Sequence, residues 1–98
     1  MRILILGGGA VGALLAQRLI REKNEVIIVE ENSDRCMDLE ETLDAKIIQG
    51  NASSIQTLQK AGISDTEMLI AVTNNDEANI LACLIAETQT NVSIKLVR

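Results

Sequence analysis

The sequence predicts a three-layer α/β fold, one parallel sheet with helices on both faces, from three observations. Short, continuously apolar runs at 26–29 and 68–72, and a third at 3–6, read as strands buried on both sides. The segments between them are longer and carry apolar residues at helical spacing. The run at 3–6 ends in a glycine cluster, Gly7-Gly8-Gly9-Ala10-Val11-Gly12, which opens the first helical segment. Strand and helix then alternate through residue 98 as β-α-β-α-β-α-β-α-β. Right-handed crossovers turn that order into an open, doubly wound, Rossmann-like sheet. With the glycine turn at the switch point, the strand order is 3-2-1-4-5. The 98 residues make one domain with a single core.

In chain order, the first helix runs from about Ala10 to Lys23, with Val11, Leu14, Leu15 and Leu19 as its apolar stripe and Asn24 as a left-handed stop. The strand at 26–29 ends at Glu30. Ser33 and Asp34 start a second helix, whose stripe is Cys36, Leu39 and Leu43 and which ends near Asp44. Residues 46–50 form a short strand with polar ends, suited to a sheet edge. A turn at 51–54 leads to a third helix carrying Ile55, Leu58 and Ala61, closed by Gly62 as its left-handed C-terminal residue. After the strand at 68–72, Asn74 reads as a helix N-cap, with Glu77 three residues on as in a capping box. The fourth helix carries Ile80, Leu81, Leu84 and Ile85 to about Gln89. In the last strand Val92, Ile94 and Leu96 alternate with Ser93 and Lys95, the pattern of a half-covered strand.

The glycine turn has the spacing Gly7-x-Gly9-x-x-Gly12. Gly7 permits the sharp turn out of the strand, and Gly9 leaves room for a pyrophosphate to approach the backbone. Gly12 lets the first helical turn pack closely on the sheet. Gly12→Val is therefore expected to overpack that contact at a cost of about 1–3 kcal/mol. The unpaired N–H groups of the first helical turn, Ala10 and Val11 among them, point at the same place with the positive end of the helix dipole behind them. Glu30 ends the next strand about twenty residues on, where a carboxylate accepts hydrogen bonds from both ribose hydroxyls of an adenosine. A 2′-phosphate would face that carboxylate, so the pattern favours NAD over NADP. Glu31, beside it, reads as a solvated acid.

Composition narrows the function classes. Apolar residues make up 47% of the chain, yet there is no Phe, Tyr or Trp, so the core is aliphatic and an adenine has no aromatic ring to stack on. The net charge is −5 and the nine Lys and Arg are scattered, which argues against nucleic acid as a partner. No apolar run reaches the roughly eighteen residues of a membrane span, so direct membrane insertion is not expected. Histidine is absent, which removes the commonest general base and metal ligand. Cys36 and Cys83 lie far apart and outside any CxxC, as packed, reduced thiols of a cytoplasmic protein do.

Four segments converge at the carboxyl ends of the expected strands: the glycine turn, Glu30, residues 50–53 and residues 73–75. On physics alone, the stretch Thr73-Asn74-Asn75-Asp76-Glu77 serves equally as a helix cap or as a ligand contact, with Asn79 one turn further on. Taken together, Ile-Leu-Gly-Gly-Gly-Ala-Val-Gly at 5–12, Val-Glu at 29–30, Gln-Gly-Asn-Ala at 49–52 and Met-Leu-Ile-Ala-Val-Thr-Asn-Asn-Asp-Glu-Ala-Asn at 68–79 resemble the TrkA-type N-terminal domain, also called KTN or RCK. The resemblance spans essentially the whole chain. It implies a cytoplasmic regulatory domain that binds NAD(H), or in some relatives ATP or ADP, and gates a membrane potassium transporter from the inner face of the membrane.

By that resemblance Gly7, Gly9 and Gly12 hold phosphates and Glu30 holds the ribose. Asn51 and Ala52 lie near the adenine, while Thr73, Asn74 and Asn79 line the rest. ATP-binding relatives carry an arginine after the second motif glycine, where this chain has Ala10, so ATP and ADP are less expected than NAD. The family domain continues for a further strand and helix that build a homo-oligomer, so the chain is expected to be part of a longer protein. The alternative is the cofactor-binding half of an NAD-dependent dehydrogenase, which needs an acid or base near the nicotinamide. This chain has no His or Tyr to offer there.

Overall fold

The computed structural model describes residues 1–88 with their side chains, and the backbone of 89 and of 94–97. Its elements are β1 (Arg2–Leu6), α1 (Ala10–Arg21), β2 (Glu25–Glu30), α2 (Ser33–Thr42), β3 (Lys46–Gln49), α3 (Ile55–Lys60), β4 (Met68–Ala71), α4 (Asp76–Gln89) and β5 (Ile94–Val97). A single turn of 3-10 helix, Ile63–Asp65, follows α3. The strands form one sheet in the order β3-β2-β1-β4-β5, parallel throughout, as the alternation of segments predicts. The alternation expected for the last strand, with Val92 and Ser93, lies outside the described residues.

The strand pleat divides the core in two. Leu4 and Leu6 of β1, with Ile27 and Val29 of β2, face Leu58 of α3 and Ala82 and Ala86 of α4. Ile3, Ile5, Val26 and Ile28 face the other way, onto Ala16 of α1 and Leu39 of α2. Side chains alternate across a strand, so four consecutive aliphatic residues on β1 and β2 supply both faces at once. The registers Leu6↔Val29, Glu30↔Gln49 and Leu6↔Ala71 bring the carboxyl ends of the first four strands to one edge.

Several helix details differ from the sequence expectations. Lys23 takes the left-handed conformation after α1, with φ 72°, and Asn24 instead returns a side-chain hydrogen bond to the Leu19 carbonyl. Ser33 begins α2 as expected, but the cap is Asn32, whose side chain accepts from the Arg35 N–H at 2.9 Å. The cap of α4 is Asn75 rather than Asn74: its Oδ1 accepts from the Ala78 N–H at 3.0 Å. The helix starts one residue later than a cap at Asn74 requires, so Glu77 no longer occupies the third helical position and the capping box does not form. Gly62 closes α3 with φ 82°, as its left-handed position predicts.

The largest difference concerns which face of α4 packs. Ile80, Leu81 and Leu84 are exposed, and the helix meets the sheet through Asn79, Ala82 and Ala86. Small side chains let the helix axis sit close to the strands, and Ile80, Leu81 and Leu84 are turned outward while Ile85 packs partly against the core.

Candidate functional site

The carboxyl edge of the sheet opens into a cleft of about 450 Å³, within the size range of small-molecule sites. Its walls come from the four segments that the sequence places there, joined by Arg35 of α2 and Ala78 of α4.

The glycine turn is the floor. Gly7 has φ 106° and donates its N–H to the Val29 carbonyl at 2.8 Å. A Cβ on Gly7 would meet the Val72 carbonyl and the Thr73 N–H, both at 2.9 Å, so the turn threads between the ends of β2 and β4. Gly9 is the N-cap of α1 in extended geometry, φ −72° and ψ −165°, with no side chain to satisfy the first-turn N–H groups and no acid in that turn. Among the described residues, and apart from its chain neighbours, a Cβ added at Gly9 would meet a single atom within 4 Å, Nη1 of Arg35 at 3.7 Å. The backbone at Gly9 is thus open on the cleft side, with the helix N-terminus behind it. Ala10 and Val11 line the cleft beside it and are exposed.

Gly12 does not line the cleft. A Cβ there would fall on the carbonyl oxygen of Gly7, with the Gly7 carbonyl carbon at 3.0 Å and Ile5 Cγ2 at 3.6 Å. The contact that demands glycine is therefore the turn's own backbone more than the sheet, and an overpacking cost of about 1–3 kcal/mol understates it.

Glu30 is 7% exposed and joins two parts of the site. Its Oε1 accepts the Gly8 N–H at 2.7 Å, and its Oε2 accepts the Asn32 N–H at 2.8 Å. One carboxylate thus holds both the glycine turn and the start of α2. Two oxygens offer about four acceptor positions, so room remains for further donors from the cleft. Glu31, expected to be plainly solvated, is exposed but also lines the cleft. Gly8 was not anticipated as a site residue; its place between the two motif glycines gave no sign that Glu30 takes its N–H.

Cys36 lies beneath this acid, 5% exposed, and donates its thiol to the Glu30 carbonyl at 3.4 Å. Burial pushes that thiol above its usual pKa, and the charges of Glu30 and Glu40 push it further in the same direction. A raised pKa leaves less thiolate at neutral pH, so Cys36 is expected to alkylate far more slowly in the native protein than in denaturant. Mass spectrometry after timed iodoacetamide exposure measures this; equal native and denatured rates at Cys36 would contradict its burial.

The other walls are polar loops. Asn51 and Ala52 line the cleft, Ala52 buried and Asn51 exposed. Asn51 Oδ1 accepts from the Ser53 N–H at 2.8 Å and the Ser53 hydroxyl at 2.7 Å, an Asx turn that shapes the loop after β3. Thr73 and Asn74 line the opposite side.

Asn79 is not on the wall. It is fully buried, its Oδ1 accepting from the Thr73 N–H at 3.1 Å and from the Thr73 hydroxyl, and its Nδ2 donating to the Thr73 carbonyl at 3.1 Å. Asn79 therefore positions the loop after β4 and does not line the cleft. In the stretch at 73–79, Asn75 caps the helix, and Thr73 and Asn74 line the cleft.

Arg35 is the lining residue that sequence reasoning missed. Its Nη1 lies 4.0 Å from Glu30 Oε1, above the open Gly9. The signal was present, since Arg35 stands three residues beyond the Asn32 cap, on the first turn of α2.

A parallel three-layer sheet with a glycine turn at its switch point and a buried acid ending the adjacent strand defines a Rossmann-like domain of the dinucleotide-fold class. The TrkA-N domain model matches residues 3–98, and the chain belongs to that family. A similar curated protein is the Trk system potassium uptake protein TrkA of Vibrio alginolyticus, 43% identical over all 98 residues of this chain. The chain spans 21% of that protein's length. Among solved structures, the TrkA-N domain of the inner membrane protein ybaL from Escherichia coli superposes with a TM-score of 0.82 at 25% identity, covering 95% of this chain and 69% of that one. The GsuK channel bound to NAD superposes with a TM-score of 0.81 at 22% identity, covering 95% of this chain and 17% of that one.

Proposed function

We propose that this domain binds NAD(H) and acts as the nucleotide-sensing regulatory part of a Trk-type potassium uptake system, gating a membrane potassium transporter. The observation that carries the binding is that Gly9 and Glu30 line the same cleft. Gly9, open above the N-terminus of α1, suits a pyrophosphate, and Glu30, with acceptor positions to spare, suits the ribose hydroxyls. The residues present fit the cofactor: the backbone leaves a cradle that a Cβ would begin to fill, with a carboxylate across from it. Bound NAD(H) supplies the signal, not a hydride, and the chain's own residues hold it. The N–H groups of Ala10 and Val11 face its phosphates, Glu30 its ribose, and the loops at Asn51, Ala52, Thr73 and Asn74 enclose the adenine and the remainder.

The regulatory part of the proposal draws on the relative named a potassium uptake protein and on the channel whose structure is described as bound to NAD. A domain of this kind regulates by binding nucleotide with different affinity in two arrangements of its assembly. It would act at the inner face of the membrane through its transporter partner, as one unit of a homo-oligomer. None of the helices among the described residues is long and apolar enough to cross a membrane.

Titration calorimetry with NAD and NADH tests the binding. The protein is expected to bind at least one of them, and Gly9→Ala to lose most of that heat while melting within about 1 kcal/mol of the parent. A Gly9→Ala protein with undiminished affinity would remove the phosphate from the turn. Steady consumption of NADH with any small 2-keto acid would favour a dehydrogenase instead.

A further inference from the structure

We propose that Arg35 is the side chain through which this cleft recognises phosphate, so that it separates phosphorylated adenosine ligands from adenosine itself. The inference rests on the nucleotide proposal above and goes further, in assigning the charge selectivity to one residue.

Three observations carry it. The first is position. The Arg35 N–H is held by Asn32 Oδ1 at 2.9 Å, and the Asn32 N–H by Glu30 Oε2 at 2.8 Å, so the arginine backbone is anchored to the acid of the site. The second is reach. Among the described residues, and leaving out the chain neighbours of Gly9, Arg35 Nη1 is the one atom within 4 Å of where a Cβ on Gly9 would stand, at 3.7 Å. The guanidinium therefore overhangs the same open backbone that a phosphate would approach.

The third is charge. Among the described residues, the cleft is lined by two carboxylates, Glu30 and Glu31, and by a single cation, Arg35. Without it, an anionic phosphate would enter a cleft of net negative charge, with only the helix N-terminus to offset it. The Arg35 side chain is 56% exposed, and its ion pair with Glu30 is long, at 4.0 Å. Glu30 is buried, but at that distance and with its arginine exposed the pair is loose, and a guanidinium carries five N–H donors in a fork suited to phosphate. The arginine can turn from the carboxylate to a phosphate at little cost.

Calorimetric titration of AMP, adenosine and NAD into the parent, Arg35→Gln and Arg35→Lys proteins tests this. The exposed position of Arg35 makes both variants expected to fold, which circular dichroism checks. The parent should bind AMP more tightly than adenosine. Arg35→Gln should weaken AMP and NAD by about tenfold, the scale of a charge-assisted hydrogen bond near a surface, and leave adenosine within about twofold. Arg35→Lys should recover part of the loss, and added salt should narrow the gap between parent and Arg35→Gln. If Arg35→Gln preserves the parent's ratio of AMP to adenosine affinity, whether by weakening both equally or neither, the inference falls while the nucleotide reading stands. If the parent binds none of the three, both fall together.

Discussion

Gly12→Ala is expected to remove the folded state or to lower its melting temperature by roughly 20 °C or more, the equivalent of at least about 4 kcal/mol in a domain of this size. The added Cβ falls on the carbonyl oxygen of Gly7, which is backbone and cannot turn aside as a side chain would. Gly7 has no freedom to retreat either. Its N–H is bound to Val29 at 2.8 Å, and it lies against Val72 and Thr73 on its other side. Relief requires the turn to leave β2 or the first turn of α1 to unwind. Alanine is the strongest helix former, so a loss at this helical position cannot come from propensity. Thermal melting followed by circular dichroism measures it, with Gly9→Ala as the internal control. Gly9 has φ −72° and open space around its missing Cβ, so it should melt close to the parent. A Gly12→Ala protein melting within a few degrees of the parent would show that the turn and helix are not in contact as described.

Glu30→Ala is expected to destabilise the ligand-free protein by about 2–4 kcal/mol, while Glu31→Ala stays within about 0.5 kcal/mol of the parent. Sequence position alone suggests only a loss of ligand, about 1.5–3 kcal/mol for a charged hydrogen-bond acceptor. The structure adds a second consequence. The carboxylate accepts the Gly8 and Asn32 N–H groups, and removing it strands one donor in the glycine turn and another at the cap of α2. Glu30→Gln should fall between, since an amide oxygen can take one of those donors while its NH₂ group opposes the other. Urea denaturation without nucleotide separates this effect from binding. A Glu30→Ala protein as stable as the parent would mean that the carboxylate holds neither segment.

The order of strands and helices, the glycine turn and the convergence of four segments were legible in the chain, because each depends on spacing within a few residues. A short aliphatic run bounded by turn residues fits a strand buried on both faces, and alternation of such strands with helices leaves one handedness of crossover. The position of Glu30 followed from the same spacing.

Direction, by contrast, was decided in three dimensions. The largest apolar residues of α4 read as its buried face, but the sheet is approached closely, so Ala82 and Ala86 face it, Ile85 packs only partly, and Ile80, Leu81 and Leu84 do not pack there. Either Asn74 or Asn75 could cap that helix by type, and the path of the loop chose Asn75. Asn79 was placed toward the cleft by its offset from Thr73, yet full burial turned it into the brace that holds Thr73. Arg35 entered the cleft because Glu30 draws the start of α2 against the glycine turn. Local spacing determines which residues form an element and where it ends. Which of them face a ligand depends on contacts between segments tens of residues apart, and those exist only once the sheet has assembled.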